Sequence, residues 1–466
     1  MVTIVRPRDM VAAVGEAVQG MLRLSSRSLA PTAFAIARHG RCQPRRRFTT
    51  NLEREITRTI MATGPLSFAR YMELCLQHPA EGYYARATSE SDIIGAKGDF
   101  VTSPEISQHF GEIIGIWLLS VWNQIAPDVP NIRLVELGPG KGTLIGDVMR
   151  TVKALCRAPR SLTSVDLVES SAMLEQQQRE ALSRRFKGTL AMPDSSVPVI
   201  WHKSFDGLHA TENEFTAVIA HELFDALPIH IIEKTINGWQ EVLVDTVPAT
   251  ERAVATTSSQ GPAPRTNGSS QAPSLPRAFR FVLSGPSLLA NKLAYTSLRF
   301  SKLDLPAGTR IEVSPLGYDL ARKVGQFISH KGSHGAALLV DYGDERFFGD
   351  SARAFYKHKI VDVFHRPGET DLTANVDFAF LKEAAAETGV SAHGPISQAE
   401  FLKRMGLDAL LARSLSQITD ADVQARVMKA AGRLVDTGPT GMGRQYQFLG
   451  LTTASADCEV YPFVKM

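Results

Sequence analysis

Residues Ile132–Thr143 read I-R-L-V-E-L-G-P-G-K-G-T, and this stretch constrains the fold more than any other. An apolar, β-branched run (Ile132, Leu134, Val135) ends on Glu136, then turns through Gly138, Gly140 and Gly142 into a helical pattern that Thr143 opens. A buried parallel strand feeding a glycine turn and a helix is the first half of a βαβ unit. Glycine lets the backbone turn sharply and approach a ligand where a Cβ would intrude. Dinucleotide sites lay a pyrophosphate on the helix N-terminus and space their glycines G-x-G-x-x-G. Here the spacing is G-x-G-x-G, and Glu136 would place a carboxylate beside any phosphate, a costly pairing of like charges in a partly dry cleft. A cationic ligand suits the site better, and the sulfonium and ammonium of S-adenosylmethionine meet that requirement. On this stretch alone the alternative is a glycine turn that binds nothing.

The length of 466 residues allows two or three domains, or one large core with insertions. No apolar run approaches the ~18 residues needed to span a bilayer. Four scattered cysteines (Cys42, Cys75, Cys156, Cys458) have neither disulfide-framework nor zinc-site spacing, so no metal is expected and a reducing compartment is. The first fifty residues hold nine arginines, no lysine and two acids, Asp9 and Glu16. That composition predicts a mitochondrial transit peptide over residues 1–47 and a matrix location; the alternative is a basic tail for nucleic acid or membrane. Without residues 1–47 the charge moves from +3 to −4, with 42 basic against 46 acidic residues. The basic balance therefore belongs to the leader. The remainder is mildly acidic, which argues against a general nucleic-acid binder and suits a basic protein substrate.

Residues 48–130 read as an N-terminal helical cap region. Helical spacing runs over Leu52–Ala62 and Ser67–Gln77, with Ser67 as a cap. Ser103, Pro104 and Glu105 predict a helix start, cap then proline then acid, for a helix through Phe110 and Trp117 to Trp122. Ahead of it, Gly98 and Asp99 form a polar lead-in expected to close over the cofactor. Residues 131–345 read as the core. Val165–Glu169 is a second strand whose terminal Glu169 could bridge two ribose hydroxyls, or simply cap a helix. Val197–Trp201 is a third, after which Phe205 could stack on adenine and Asp206 accept from its amino group.

A fourth strand, Thr216–Ala220, leads into H-E-L-F-D-A-L-P. Chemistry in a doubly wound sheet gathers at the carboxyl ends of strands beside the topological switch. Glu222 and Asp225, three apart, would share one face of a helical turn. Two carboxylates there could grip a guanidinium and polarise its nitrogen towards a methyl donor. The alternative makes Asp225 a helix cap and Glu222 a backbone partner. Residues 247–277, rich in Ser, Thr, Pro, Ala and Gly, read as a flexible insertion. Order resumes at Phe279–Leu283 and at Thr309–Val313, a helix opens at Ser314-Pro315, and Gly335–Tyr342 reads as a buried strand. Residues 346–466 are expected to complete the core, helical beyond Phe380 up to a strand at Tyr446–Leu449.

Five blocks occur in order: G-D-F-V-T-S-P-E-I-S-Q-x-F-G-E, V-E-L-G-P-G-K-G-T-L, A-H-E-L-F-D-A-L-P, L-V-D-Y-G and D-L-T-A-N-V-D-F. Over roughly Ile56–Phe448 the chain resembles the MidA family, the mitochondrial complex I assembly-factor methyltransferases, although the 247–277 insertion departs from that pattern. The resemblance implies an α/β class I methyltransferase fold, a Rossmann-like doubly wound sheet, using S-adenosylmethionine. It also implies symmetric dimethylation of an arginine in a core matrix-arm subunit of complex I, early in assembly. The resulting expectation is protein-arginine N-methyl transfer. A small-molecule methyltransferase and a non-catalytic assembly chaperone are the rivals.

Overall fold

A computed structural model describes residues 50–86, 102–186, 197–248, 278–295, 297–438 and 441–464. The leader, Gly98, Asp99 and all but the edges of the 247–277 insertion lie outside them.

The central layer follows from period-two alternation. Its strands are β1 (Asn131–Leu137), β2 (Ser161–Val168), β3 (Val199–His202), β4 (Phe215–His221), β5 (His334–Asp344), β6 (Ser391–Ser397) and β7 (Tyr446–Thr452). Along β1, Ile132 and Leu134 enter one core while Val135 and Leu137 enter the other. β4 and β5 divide their side chains in the same way, so the sheet is buried on both faces, as a parallel sheet must be. The order is β3-β2-β1-β4-β5-β7-β6. Strands β1 to β5 run parallel, β7 is antiparallel to β5, and β6 is antiparallel to β7. The order reverses at β1, so the switch point opens between the ends of β1 and β4. This is the α/β doubly wound sheet expected of the class I methyltransferase fold.

Helices cover both faces. On one lie α3 (Gln108–Ile125), through Phe110, Ile114 and Trp117, and α4 (Thr143–Leu155), through Ile145, Val148 and Val152. On the other lie α5 (Pro315–Ile328), capped by Ser314, and α6 (Phe378–Ala386), capped by Asp377. A third core joins α1 (Asn51–Thr63) and α2 (Phe68–Gln77) to an antiparallel five-stranded sheet. That sheet is built from 66–67, 230–235, 238–246, 279–283 and 310–313, so most of it is spliced between β4 and β5. The insertion spans adjacent strands of it: Thr246 pairs with Phe279, and Val247 N–H donates to Ala278 O at 3.0 Å.

Three local expectations need correction. The helix expected from Ser103 stops after four residues (Ser103–Ile106), because Ser107 takes extended backbone and begins α3 afresh, its hydroxyl accepting from His109 N–H. No helical turn follows β4. Residues 222–229 form an irregular turn held from outside, so Glu222 and Asp225 are not related by a helix face. The C-terminal region contains a strand, β6, where helix was expected; its half-buried polar sequence S-A-H-G-P-I-S hides the alternation.

Candidate active site

The glycine turn after β1 uses left-handed backbone at all three glycines, with φ of 65° at Gly138, 53° at Gly140 and 78° at Gly142. A Cβ on Gly138 would meet Leu223 Cδ1 at 3.0 Å, so the turns after β1 and β4 pack against each other. Glu136, at the end of β1, is 2% exposed, and its Oε2 has no hydrogen-bond partner in the structure. Burial pushes its carboxyl up to about 8, against the pull of the Ile145 backbone N–H. A buried acid with an open oxygen beside a glycine cradle suits a cation.

Glu169 lies one strand away. Its Oε1 accepts from Ser171 N–H (2.8 Å) and its Oε2 from Gln178 Nε2 (3.1 Å); burial raises its proton affinity against these donors. Buried Gln178 also donates to Gly140 O (2.8 Å) and accepts from Trp201 Nε1 (2.9 Å). It therefore ties the glycine turn to Glu169, a link that no sequence spacing announces. Phe205 packs edge-on against Phe327, with ring centroids 5.6 Å apart. Asp206 is exposed and accepts from Lys323 Nζ at 2.8 Å. Thr143 Oγ1 donates to Glu105 Oε1.

At the end of β4, Glu222 adopts φ 51°, a left-handed conformation that a side-chain-bearing residue reaches only under strain. Asp341 of β5 holds the turn. Its Oδ2 accepts the backbone N–H groups of Leu223 (3.1 Å), Phe224 (2.8 Å) and Asp225 (3.2 Å), and its Oδ1 accepts from Tyr342 N–H (2.8 Å). Burial and the facing carboxylate of Asp225 push Asp341 upward in pKa; the N–H donors pull the other way. Asp341 Oδ2 is thus committed to shaping the turn, and the sequence motifs assigned Asp341 no role.

Glu222 Oε1 accepts from Tyr446 Oη at 2.7 Å, and the Ser103 backbone N–H also stabilises the carboxylate. Burial nevertheless raises it to about 8, helped by the charges of Asp225 and Asp371. Asp225 is raised to about 6 by burial, with the Arg353 guanidinium opposing. Arg353 itself donates through Nη1 to Asn375 Oδ1 (2.6 Å) and Ser351 O (3.1 Å). His221 is buried with Nε2 lacking a hydrogen-bond partner, and burial lowers it to about 3, so it is neutral. The acids of this half-site are therefore easily protonated when no cation is present and ready to ionise against one.

The chain matches the family model described as "Putative S-adenosyl-L-methionine-dependent methyltransferase" over residues 113–396. It is 35% identical over 403 residues to the protein arginine methyltransferase NDUFAF7, mitochondrial, of Danio rerio, covering 84% of each chain. Its identity to the Homo sapiens protein of that name is 34% over 420 residues, covering 88% of this chain and 85% of the other. A Burkholderia thailandensis structure with S-adenosyl-homocysteine bound superposes with a TM-score of 0.66 at 23% identity, covering 88% of this chain and 93% of that one. That likeness concerns the fold. Taken together with the family match and the relatives, the glycine turn and the sheet order lead to one conclusion: this chain belongs to the S-adenosyl-L-methionine-dependent methyltransferases of the MidA family.

Proposed function

We propose that this protein transfers methyl groups from S-adenosylmethionine to an arginine side chain of a protein in the mitochondrial matrix. The observation that carries the reading is the pairing of Glu136 and its glycine cradle with Glu222 and Asp225 at the adjacent strand end. The relatives named as mitochondrial protein arginine methyltransferases support the substrate class and, with the Arg-rich leader, the compartment. Within this reading the acceptor is a core matrix-arm subunit of complex I, and the product is symmetric dimethylarginine.

When bound, S-adenosylmethionine supplies a methyl on a sulfonium that is already strongly electrophilic. Glu136 and the turn Gly138–Gly140–Gly142, with Thr143, would hold its amino-acid end, and Glu169 its ribose. Phe205 and Asp206 would border its adenine. The task left to the chain is alignment and exclusion of water. Glu222 receives the guanidinium, releases its own proton as the cation arrives, and draws positive charge away from the attacking nitrogen. Tyr446 orients Glu222, and Asp225 supplies the second carboxylate, kept partly ionised by Arg353. Glu222, ionised by then, would accept the proton lost from the guanidinium after transfer.

Incubating the protein with methyl-labelled S-adenosylmethionine and mitochondrial extract from cells that lack it tests the reading. One labelled band, yielding symmetric dimethylarginine on hydrolysis, is expected. Label confined to small molecules, or no label, would overturn it.

A further inference from the structure

His221 and Glu222 are consecutive, and in an extended strand their side chains would point to opposite faces. His221 is still held by the sheet, paired with Val340 of β5, and Glu222 N–H donates to Val340 O at 2.9 Å. The left-handed φ of 51° at Glu222 then breaks the alternation. His221 Nε2 and Glu222 Oε1 consequently stand 3.6 Å apart, too far for a hydrogen bond and close enough to serve one ligand. The imidazole is clamped. Phe110 meets it edge-on with ring centroids 5.1 Å apart, and Tyr446 lies parallel to it at 6.3 Å, with 3° between the planes. The His221 side chain is 6% exposed, and among the described residues its Nε2 has no hydrogen-bond partner. Burial keeps the ring neutral. Such a nitrogen destabilises the free protein, because it has lost water and gained no partner. Strained backbone beside an unsatisfied buried nitrogen is the mark of a functional site.

We propose that His221 Nε2 accepts one N–H of the acceptor guanidinium while a neighbouring N–H goes to Glu222. The ring proton then sits on Nδ1, which leaves the lone pair on Nε2. A guanidinium carries five donors in one plane and no acceptor, so a neutral imidazole beside a carboxylate suits its edge. An imidazolium would repel it. His221 is thus a second substrate-binding residue of the acceptor half-site, and the assignment rests on the methyl-transfer reading above. A histidine that only packed would be replaceable by any ring of its size.

His221→Phe keeps the ring between Phe110 and Tyr446 and removes the lone pair. Transfer of labelled methyl to protein, in mitochondrial extract from cells that lack this chain, should fall at least about ten-fold, the loss of one bond to a charged donor. Calorimetric affinity for S-adenosylhomocysteine should stay within about two-fold of wild type. Tm should hold or rise, since the variant buries no unsatisfied nitrogen. His221→Gln sets an amide oxygen near the place of Nε2 and should restore transfer to within about three-fold of wild type. Transfer by His221→Phe at the wild-type rate overturns the proposal. A Tm several degrees lower, with transfer lost and not restored by His221→Gln, assigns His221 to the fold and overturns it too. Glu222→Gln, run alongside, separates the two readings. If it loses transfer while His221→Phe does not, only the role of His221 falls. Wild-type enzyme that labels no protein overturns the methyl-transfer reading as well.

Discussion

The turns after β1 and β4 lie side by side at the carboxyl end of the sheet, and both depend on left-handed backbone. The first reaches it with Gly138, Gly140 and Gly142, where no Cβ opposes the conformation. The second places Glu222 there and recruits the carboxylate of Asp341, more than a hundred residues away, to hold three consecutive N–H groups. One turn is therefore shaped by its own composition and the other by a neighbouring strand. The acids differ correspondingly. Glu136 keeps an oxygen without a partner, whereas Glu222 Oε1 accepts from Tyr446 Oη. A cradle for a ligand common to a large class of enzymes can be local. A site for a particular acceptor is assembled from distant pieces.

The comparison can be broken first at the glycine turn. Gly140→Val forces a β-branched residue into φ 53°, at a cost of roughly 1–2 kcal/mol for the backbone alone, and adds bulk where the ligand approaches. S-adenosylhomocysteine binding should become undetectable by calorimetry in a folded variant. Undiminished affinity would mean that the turn is not the cradle. The second break is at Asp341. Replacing it with Ala leaves buried N–H groups without an acceptor, a loss of about 3–5 kcal/mol that should appear as a large fall in Tm. Activity should vanish even where the protein still folds at low temperature. A Tm within a degree or two of wild type would show that the turn after β4 shapes itself.

The pH dependence sharpens the contrast. Glu136 is raised to about 8 by burial, so at neutral pH a cationic amine must displace its proton. Affinity for S-adenosylhomocysteine should climb by up to about ten-fold per pH unit between roughly pH 6.5 and 8, then level off. Glu136→Gln should bind weakly with no such slope, and a slope that persists would assign the titration elsewhere. For the ligand-free protein the sign is opposite. A carboxyl whose folded value is raised stabilises the fold as its acid form, and that contribution is lost as pH rises through about 8. The smallest effect belongs to the hairpin joined by the insertion. Replacing Ala249–Pro273 with a short glycine linker should change stability by less than about 1 kcal/mol, because loop length enters only logarithmically. A large drop in Tm would count against a passive connection.

Much of the sheet was legible because its strands are short apolar runs ending on acids or glycines, and their ends carry Glu136, Glu169 and Glu222. The helix starts at Ser67 and Ser314 were readable for the same local reason. What escaped was set by partners distant in sequence. The three-residue spacing of Glu222 and Asp225 suits a helical turn, but Asp341 holds residues 223–225 in another shape, and no spacing reveals that. Gln178 and Tyr446 reach the site from helix and strand faces where glutamine and tyrosine are ordinary core or surface residues. β6 was missed because its cover is polar and partial. The break at Ser107 was missed because Ser103-Pro104-Glu105 carries every local sign of a helix start, and only the bond between the Ser107 hydroxyl and His109 N–H restarts the helix.

The central claim is that Glu222 receives the acceptor guanidinium while the cofactor is held elsewhere. Glu222→Gln keeps the side chain's shape and removes its charge. Transfer of labelled methyl to protein in mitochondrial extract should fall roughly 30- to 1000-fold, the loss of about 2–4 kcal/mol of charge-assisted bonding. In the same preparation, calorimetry should find S-adenosylhomocysteine affinity within about two-fold of wild type. Transfer at the wild-type rate, or cofactor affinity lost in step with activity, would contradict the account.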